Sequence, residues 1–340
     1  TRLLNAQQVP VGQWQTHFSY NSAKSIERIG DKIYVAKSNL YSYSLSEHDY
    51  TIYSKTNGLS DINIQLIRYD IDNDLMIIIY ENGNIDLMEQ NTFVNIPDIK
   101  NLNITGSKRI NSVYFKNKLI YLCTDFGIVV LNPVRREIKE SFVLQKASEI
   151  LKIKGLSTRD GYFYAATSRG IFKADESNIA LQNFANWTAI SDSPLQFVFN
   201  HHNQLFCASN DTLYSVTNDV LAPLYAAVSS IQKIYQGAQD IYLCEQGDQR
   251  RAIMILNQQG LRVDSVFNIN PNDVTELTGN EIWEADEWEG LIQLSNRKNK
   301  QQFNPNGVYS NSMYKLSVSN SDVFVSSGGE SGWNALLNSN

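Results

Sequence analysis

A strand–turn unit recurs along this chain, and it restricts the possible folds more than any other feature of the sequence. The clearest copy spans residues 50–88 and reads as four short strands separated by turns at 57–58, 72–74 and 82–83. Its central run, LMIIIY, is apolar throughout and has the length of a strand that is buried on both faces. Glycine and short polar residues fill the turns, where they supply positive φ angles and local hydrogen bonds. Four short antiparallel strands joined in this way are typical of one blade of a β-propeller.

The apolar second strand of this unit occurs eight times, at intervals of roughly 36 to 45 residues, which suits a four-stranded blade. The copies are IYVAKSN from Ile33, LMIIIYENG from Leu75, IYLCTDFG from Ile120, FYAATSRG from Phe163, LFCASND from Leu205, IYLCEQG from Ile241, IWEADEWEG from Ile282 and VFVSSGG from Val323. One blade cannot bury both of its faces, whereas blades arranged around a common axis bury those of their neighbours. The sequence therefore predicts an all-β chain, folded as a seven-bladed β-propeller of four-stranded antiparallel blades with flanking strands.

The repeat also predicts how the chain is divided. A first segment, residues 1–24, contains a strand from Trp14 to Tyr20 that lies outside the seven units. Such a strand either closes the ring or completes another blade. We favour the second role, because the seventh unit has its own fourth strand near residues 301–303. The propeller spans residues 25–307, and residues 308–340 begin a further blade or a second propeller at Met313 and end in a mobile, Gly-, Ser- and Asn-rich tail.

The charge and the apolar runs of the chain argue against several classes of partner. The formal net charge is −6 and the sequence has no block of lysine and arginine. Neither nucleic acid nor an anionic membrane surface is therefore an expected partner. No apolar run reaches the roughly 18 residues that predict a membrane span. The chain starts at Thr1 without a signal peptide, so the residues themselves do not indicate export.

The residue types that bind metals are present but are not arranged as a metal site. Cys123, Cys207 and Cys244 lie in the second strands of three different units and have no CxxC-like spacing. We therefore interpret them as buried core residues rather than as a redox or metal cluster. Adjacent side chains on a strand point to opposite faces, so one metal ion would hardly take both His201 and His202. The sequence predicts no metal site and no cofactor.

Two short motifs resemble ion-binding sequences, but we interpret both as hairpin turns. Residues 70–74, DIDND, begin like a calcium-binding loop and lack the glycine at the sixth position and the glutamate near the twelfth. Residues 125–127, DFG, match a kinase motif, but the loops that accompany it in kinases do not occur in this chain.

Four residues are candidates for a functional site. The seventh unit, EIWEADEWEG, is acidic, and its Glu284 and Asp286 share one strand face because they are two residues apart. Two carboxylates can perform acid–base chemistry, but we expect a solvated propeller face or a cation site instead. Trp187 lies in an insertion of the fourth unit, and we interpret it either as part of the packing at the rim or as a stacking platform for a sugar. Trp288 is a further candidate binding residue, and we predict no catalytic residues and no enzymatic activity.

An ordered set of segments covers nearly the whole chain and resembles one known family. The segments are WQTHFSY, YSKTNGLSDINI, YENGNIDLM, IYLCTDFGIVVLN with the following REIKES, and FNPNGVYSN followed by VFVSSGG. Together they resemble PorZ-like proteins of the type IX secretion system, which are exported proteins of Bacteroidetes. The NGLSD turn is also similar to the two-component-regulator propeller repeats of periplasmic sensors.

The resemblance implies a non-enzymatic protein of the cell surface or the periplasm. PorZ-like proteins have two seven-bladed propellers and a C-terminal β-sandwich. They act with the sortase PorU and its companions PorV and PorQ, and they are thought to bind anionic lipopolysaccharide and deliver it to the sortase. The resemblance therefore predicts a binding or scaffold propeller with these partners. The alternative is the periplasmic sensor propeller of a hybrid two-component system, which binds a glycan fragment.

Overall fold

The computed structural model of the chain describes residues 17–146, 148–278, 281–308, 313–319, 322–327, 329–331 and 334–336, and beyond residue 308 it describes side chains at 315–317 alone. Almost all regular structure in these residues is β-strand. The exceptions are the four-residue helix α1 (Asp98–Asn101) and a 3₁₀ turn at Phe184–Asn186. Neither helical element in the described part of the chain has the length and apolar content of a membrane span.

Seven four-stranded antiparallel sheets form the blades, and each sheet takes four consecutive strands in sequence order. Blade 1 consists of β1 (Ser25–Ile29), β2 (Lys32–Ala36), β3 (Leu40–Ser44) and β4 (Tyr50–Tyr53). Blade 2 consists of β5 (Ile64–Asp70), β6 (Leu75–Tyr80), β7 (Ile85–Glu89) and β8 (Thr92–Ile96). Blade 3 consists of β9 (Ile110–Lys116), β10 (Leu119–Thr124), β11 (Gly127–Asn132) and β12 (Glu137–Phe142).

A small hairpin, β13 (Gln145–Lys146) and β14 (Glu149–Ile150), precedes blade 4. Blade 4 consists of β15 (Ile153–Arg159), β16 (Tyr162–Thr167), β17 (Gly170–Asp175) and β18 (Thr188–Ser191). Blade 5 consists of β19 (Phe197–His201), β20 (Gln204–Ala208), β21 (Thr212–Thr217) and β22 (Val220–Ala226). Blade 6 consists of β23 (Ser230–Gln236), β24 (Ile241–Gln246), β25 (Arg251–Leu256) and β26 (Arg262–Phe267). Blade 7 consists of β27 (Pro271–Thr278), β28 (Glu281–Asp286), β29 (Gly290–Ser295) and β30 (Asn299–Gln302).

The first strand of each blade lies next to the central axis. β1 contacts both β5 and β27, and β15 contacts both β9 and β19. Contacts between inner strands therefore link blade 1 to its neighbours on both sides and close the ring. The all-β fold and the seven four-stranded blades predicted from the repeat are confirmed. The turns predicted at residues 70–74 and 125–127 connect β5 to β6 and β10 to β11.

The hydrophobic core lies between blades rather than inside any one of them. Strand β6, the predicted LMIIIY run, is buried at all of its positions. In β10, Leu122 packs toward blade 2, whereas Tyr121 and Cys123 pack toward blade 4. Alternate side chains of a second strand thus enter two different interfaces, which is why both sets are apolar. Cys207 and Cys244 are likewise buried and free, in agreement with their interpretation as core residues.

Blades 1 and 7 pack together without exchanging a strand, because each blade is built from its own consecutive strands. Trp283 and Ala285 of β28 enter the same apolar cluster as Ile33 and Val35 of β2. Side-chain packing of this kind therefore closes the ring between the first and the last blade.

A polar cluster near the axis joins four inner strands at this junction. We name it the seam cluster, and it consists of Ser25, Glu27, Arg68, Lys233 and Asp273. The buried Asp273 accepts hydrogen bonds from Arg68 Nη1 at 2.9 Å and from Ser25 Oγ at 3.0 Å. Burial raises the pKa of Asp273, but the charges of Arg68 and Lys233 outweigh it and leave the pKa below its ordinary value. Burial also raises the pKa of Glu27 to about 7 and lowers that of Lys233 to about 8.

The segment before blade 1 lies against the junction of blades 7 and 1. Residues 17–20, the described part of the strand predicted from Trp14 to Tyr20, have no assigned strand, and Trp14 lies outside the described residues. The strand prediction is therefore wrong for residues 17–20. Blade 7 has its own fourth strand in β30, and Tyr20 is instead buried between the two blades with its ring 5.3 Å from that of Tyr41.

Two pairs of strands follow blade 7. β31 (Met313–Ser319) pairs with β32 (Asp322–Ser327), and β33 (Gly329–Ser331) pairs with β34 (Asn334–Leu336). The first pair begins at Met313, where the repeat places the start of an eighth unit. The division of the chain at residues 24 and 307 and the mobility of the tail stay predictions, and residues 337–340 of that tail lie outside the described residues.

Candidate functional site

Three of the predicted site residues belong to one edge of blade 7. Strand direction alternates across each blade, so the turns between second and third strands lie at the same end of the propeller as the connections between blades. We name this end the upper face. The turn at 287–289, between β28 and β29, lies there beside the connection 268–270 from blade 6. The N–H of Glu287 donates to the carbonyl of Asn270 at 2.9 Å and joins the two segments.

Asp286 holds this turn from below. Its carboxyl group is fully buried. Oδ1 accepts the backbone N–H groups of Trp288 at 2.7 Å and Glu289 at 2.8 Å, and Oδ2 accepts that of Asn270 at 2.6 Å. A buried carboxylate without such donors is strongly unfavourable, so these three bonds let the charge reside there. Asp286 thereby fixes the backbone of the turn.

Glu284 lies two residues earlier on the same strand face, as the sequence predicted, but it is not solvated. The side chain is fully buried, and neither of its carboxyl oxygens has a hydrogen-bond partner among the described residues. Burial, and then the neighbouring Asp286, raise the pKa of Glu284 well above its ordinary value.

The expectation of a solvated acidic face at Glu284 and Asp286 is therefore wrong. Both residues lie on the face of β28 that packs against blade 6, as Ile282 does, and each is fully buried. A second strand is covered by a neighbouring blade on either side, so an alternating sequence there has no solvent face. Neither carboxyl can reach a substrate, and the pair cannot perform acid–base chemistry on one.

Trp288 is the exposed member of the group. Its side chain is 60% exposed, and the guanidinium carbon of Arg251 lies 4.3 Å from its ring centroid. This separation is within the range of a cation–π contact. Arg251 Nη1 also donates to Asn270 Oδ1 at 3.0 Å. The indole N–H of Trp288 makes no hydrogen bond to the described residues.

Trp187, the fourth candidate, lies away from this group and is 5% exposed. It packs in the cluster that contains Phe172 and Leu181, and its Nε1 donates to the Leu181 carbonyl at 2.8 Å. Both faces and the polar edge of the ring are therefore occupied by the protein itself. The burial of Trp187 agrees with rim packing, one of the two interpretations of the sequence. It leaves no exposed ring face for a sugar to stack on.

Further contacts brace the Trp288 turn on both sides. Glu287 Oε1 lies 3.0 Å from Lys37 Nζ of blade 1, and Glu287 Oε2 accepts a hydrogen bond from Asn272 at 2.6 Å. Asn304 donates to the carbonyl of Glu289 at 2.8 Å. Gly290 ends the turn with a φ of +79°, and a Cβ atom there would lie 2.2 Å from the Tyr20 carbonyl oxygen. The turn is therefore anchored to blade 1 and to the segments that flank the ring.

The histidine pair differs from its prediction. His201 and His202 do not diverge, and their rings lie 4.4 Å apart in an edge arrangement. The reason is that His202 has a φ of +47° and belongs to the turn rather than to the strand. Their Nε2 atoms lie near the carbonyls of Gln239 and Ala238 at 3.3 Å and 3.0 Å. Among the described residues no group of three or more His, Cys, Asp or Glu side chains is placed to hold a metal ion.

The sequence drew attention to Trp288 but not to Arg251 or Asn270. Arg251 is the first residue of β25, and Asn270 lies in the connection to blade 7. Both are distant from Trp288 in sequence, and no local motif marks them. The repeat gives one usable signal, since it places the ends of successive second strands and the connections between blades on one face.

These observations define the class of the protein as a seven-bladed β-propeller with a braced, tryptophan-bearing turn on its upper face. Residues 33–188 match the family model of the N-terminal β-propeller domain of PorZ from the type IX secretion system. The chain is therefore a β-propeller similar to the N-terminal propeller of PorZ. No curated protein matches the sequence.

Solved structures are similar to the chain over most of its length. One is PorZ of Porphyromonas gingivalis, described as an essential bacterial surface component of its type IX secretion system, with a TM-score of 0.77 and 20% identity over 94% of this chain. The match covers 43% of the PorZ chain, so this chain spans less than half the length of that protein. The WD40 propeller domain of Doa1 has a TM-score of 0.61 and 11% identity, over 82% of this chain and 93% of that chain. A chain of the mitotic checkpoint complex has a TM-score of 0.57 and 12% identity, over 86% and 98%. Identities at this level show a shared fold alone.

Proposed function

We propose that this chain is a non-enzymatic binding propeller of a PorZ-like component of type IX secretion, exported to the cell surface or the periplasm. The observation that carries the proposal is the match of residues 33–188 to the PorZ propeller family. The burial of Glu284 and Asp286 favours binding over catalysis, because the acidic pair of the seventh blade is withdrawn from any substrate.

The ligand in this proposal is anionic lipopolysaccharide, which the complete protein delivers to a PorU-like sortase with PorV- and PorQ-like companions. The match of residues 33–188 to the PorZ propeller family supports this assignment, as does the description of the similar P. gingivalis protein as a surface component. The chain covers 43% of that protein. Lipopolysaccharide binding is therefore tested on the chain and on the full-length protein separately.

Binding of purified anionic lipopolysaccharide, followed by calorimetry, tests the proposal. We expect saturable binding to the chain, and we expect a neutral polysaccharide of similar length to compete poorly. Deletion of residues 25–307 from the full-length protein is expected to remove this binding. Failure of both proteins to bind, or normal anchoring of secreted cargo in cells that lack the gene, contradicts the proposal.

A further inference from the structure

We propose that Trp288 and Arg251 form a saccharide subsite on the upper face. The indole ring stacks against a sugar ring, and the guanidinium group binds an acidic or hydroxyl group of the same glycan. The assignment of this glycan to lipopolysaccharide rests on the proposed function, whereas the subsite itself rests on the geometry described below.

The first argument is the difference between Trp288 and the other described tryptophans. Trp187 and Trp283 are 5% and 1% exposed, and their indole N–H groups donate to the Leu181 carbonyl and to Glu281. Trp288 is 60% exposed and leaves its N–H without a partner among the described residues. A tryptophan presents a large apolar face and a polar edge, which are the two features that contact with a sugar ring requires.

The second argument is the free bonding capacity of Arg251. Its guanidinium carries five N–H donors, and among the described residues it makes one hydrogen bond, to Asn270 Oδ1 at 3.0 Å. The group lies 4.3 Å from the centroid of the Trp288 ring. A ligand that stacks on the indole therefore lies within reach of unoccupied donors whose fork geometry suits carboxylate or phosphate groups.

The third argument is that the Trp288 turn is already fixed in place without a ligand. Asp286 binds the backbone N–H groups of Trp288 and Glu289 from below, and Asn304 holds the Glu289 carbonyl. Gly290 adopts a left-handed conformation that brings the turn against Tyr20. A turn whose backbone is rigid beforehand loses little conformational entropy when the ligand arrives, which favours affinity.

A sugar suits this surface better than an apolar protein contact. The centres of protein interfaces are apolar and poor in charged residues. Trp288 lies between Glu287 and Glu289 and beneath a guanidinium group instead. Phe267 is also exposed, but it pairs with Ala252, whose side chain packs toward blade 5. The two aromatic residues therefore lie on opposite sides of blade 6 and do not form one apolar patch.

The test compares variants of the chain by calorimetry and by tryptophan fluorescence. The probes are purified anionic lipopolysaccharide, its released polysaccharide, and a panel of neutral and acidic polysaccharides. We expect Trp288→Ala to weaken binding of the responsive probe at least tenfold, with partial recovery in Trp288→Phe. We expect Arg251→Gln to weaken binding of acidic probes only, and to reduce its dependence on salt.

Ile179→Ala is the matched control, because Ile179 is 97% exposed and lies in the connection between β17 and β18, at the opposite end of the propeller. It is expected to bind as the unmodified chain does. Circular dichroism and the melting temperature of each variant verify that it is folded. Because Trp288 is exposed, its replacement is not expected to disturb folding.

The outcomes separate the subsite from the proposed function. Lipopolysaccharide binding that Trp288→Ala leaves unchanged overturns the subsite and leaves the function standing. Trp288-dependent binding of another acidic polysaccharide, without lipopolysaccharide binding, supports the subsite and contradicts the function. Absence of binding to every probe overturns both. Intact saccharide binding with lost capture of a secretion-complex protein by Trp288→Ala identifies a protein contact and also overturns the subsite.

Discussion

At the scale of single residues, Glu284 departs most from the pattern of its repeat. The equivalent positions of other second strands carry apolar or weakly polar side chains, for example Leu122, Cys207 and Leu243. In blade 7 a buried carboxyl takes this place, and its raised pKa favours the protonated form. The neighbouring Asp286 differs from Glu284, because three backbone N–H groups donate to its carboxyl oxygens.

The role of Asp286 leads to a first prediction. Asp286→Asn replaces one of the two acceptor oxygens by an amide NH₂ group, so at least one of the three N–H groups loses its acceptor. We expect a loss of about 2–3 kcal/mol in the free energy of unfolding, as is usual for a buried polar group left without a partner. Urea denaturation measures this loss.

Trp288→Ala is the control for this prediction, because it removes an exposed side chain of the same turn. It is expected to change the free energy of unfolding by less than about 0.5 kcal/mol. Equal losses in Asp286→Asn and Trp288→Ala mean that Asp286 does not hold the turn.

At the scale of elements, the second strands were the easiest to predict. Strand β6 is apolar at every position and bounded by turn residues, so its type and burial follow from local sequence. The segment at 17–20 was predicted incorrectly, because its residues favour an extended backbone but pair with no strand of the described residues. Local sequence reports a preference for extended backbone, whereas strand assignment requires a partner.

The candidate site was only partly predictable for a related reason. EIWEAD identifies a strand with two acidic residues on one face, but it does not reveal that blade 6 covers that face. Arg251 and Asn270 approach Trp288 only after blades 6 and 7 have packed. Exposure and contact between blades are properties of the assembled ring, and they have no local signature.

The Gly290 turn provides a second prediction at this scale. Gly290→Ala places a Cβ atom 2.2 Å from the Tyr20 carbonyl oxygen and also requires a φ of +79°. We expect it to lower the free energy of unfolding by more than about 2 kcal/mol, since backbone strain and a clash with backbone add.

Gly30→Ala is a matched control for the clash, because Gly30 has a φ of +59° and no atom within 4 Å of the added Cβ. It should cost about 1 kcal/mol, from the left-handed conformation alone. Thermal melting of both variants gives the comparison, and similar losses would show that contact with Tyr20 is not important.

At the scale of the whole molecule, the ring is closed by side chains. Arg68 of blade 2 reaches past blade 1 to Asp273 of blade 7 and forms an ion pair at 2.9 Å. Lys233 of blade 6 lies on a neighbouring inner strand, where burial, and then the charge of Arg68, lower its pKa to about 8. The seam cluster therefore links the inner strands of four of the seven blades. Its ionisable side chains include Glu27 and Lys233, whose pKa values are shifted by burial.

Glu27 makes the stability of the ring depend on pH. Burial raises its pKa from the ordinary 4.5 to about 7, despite the nearby Arg68. A raised carboxyl pKa contributes stability that is fully present below pH 4.5 and is lost as the pH rises through 7. At about 1.4 kcal/mol per pKa unit, the loss approaches about 3 kcal/mol.

We expect Glu27→Gln to remove this loss. Its free energy of unfolding should exceed that of the unmodified chain at pH 7.5 by more than it does at pH 5, as measured by urea denaturation at both values. The exposed Glu47, changed to Gln, serves as a control and should show no such difference. An effect of Glu27→Gln that is the same at the two pH values would refute the assignment.

The junction of blades 1 and 7 also determines how the molecule responds to mechanical load. Tyr20 and Gly307 lie against each other, so the segments that lead into and out of the ring start from one place. Blades 1 and 7 share no strand, so a pull on those two segments loads side-chain contacts and the backbone hydrogen bond from Ala23 to Asp286 rather than a ladder of sheet hydrogen bonds. Under such a load we therefore expect the interface between blades 1 and 7 to separate first, while the other six interfaces between blades remain closed.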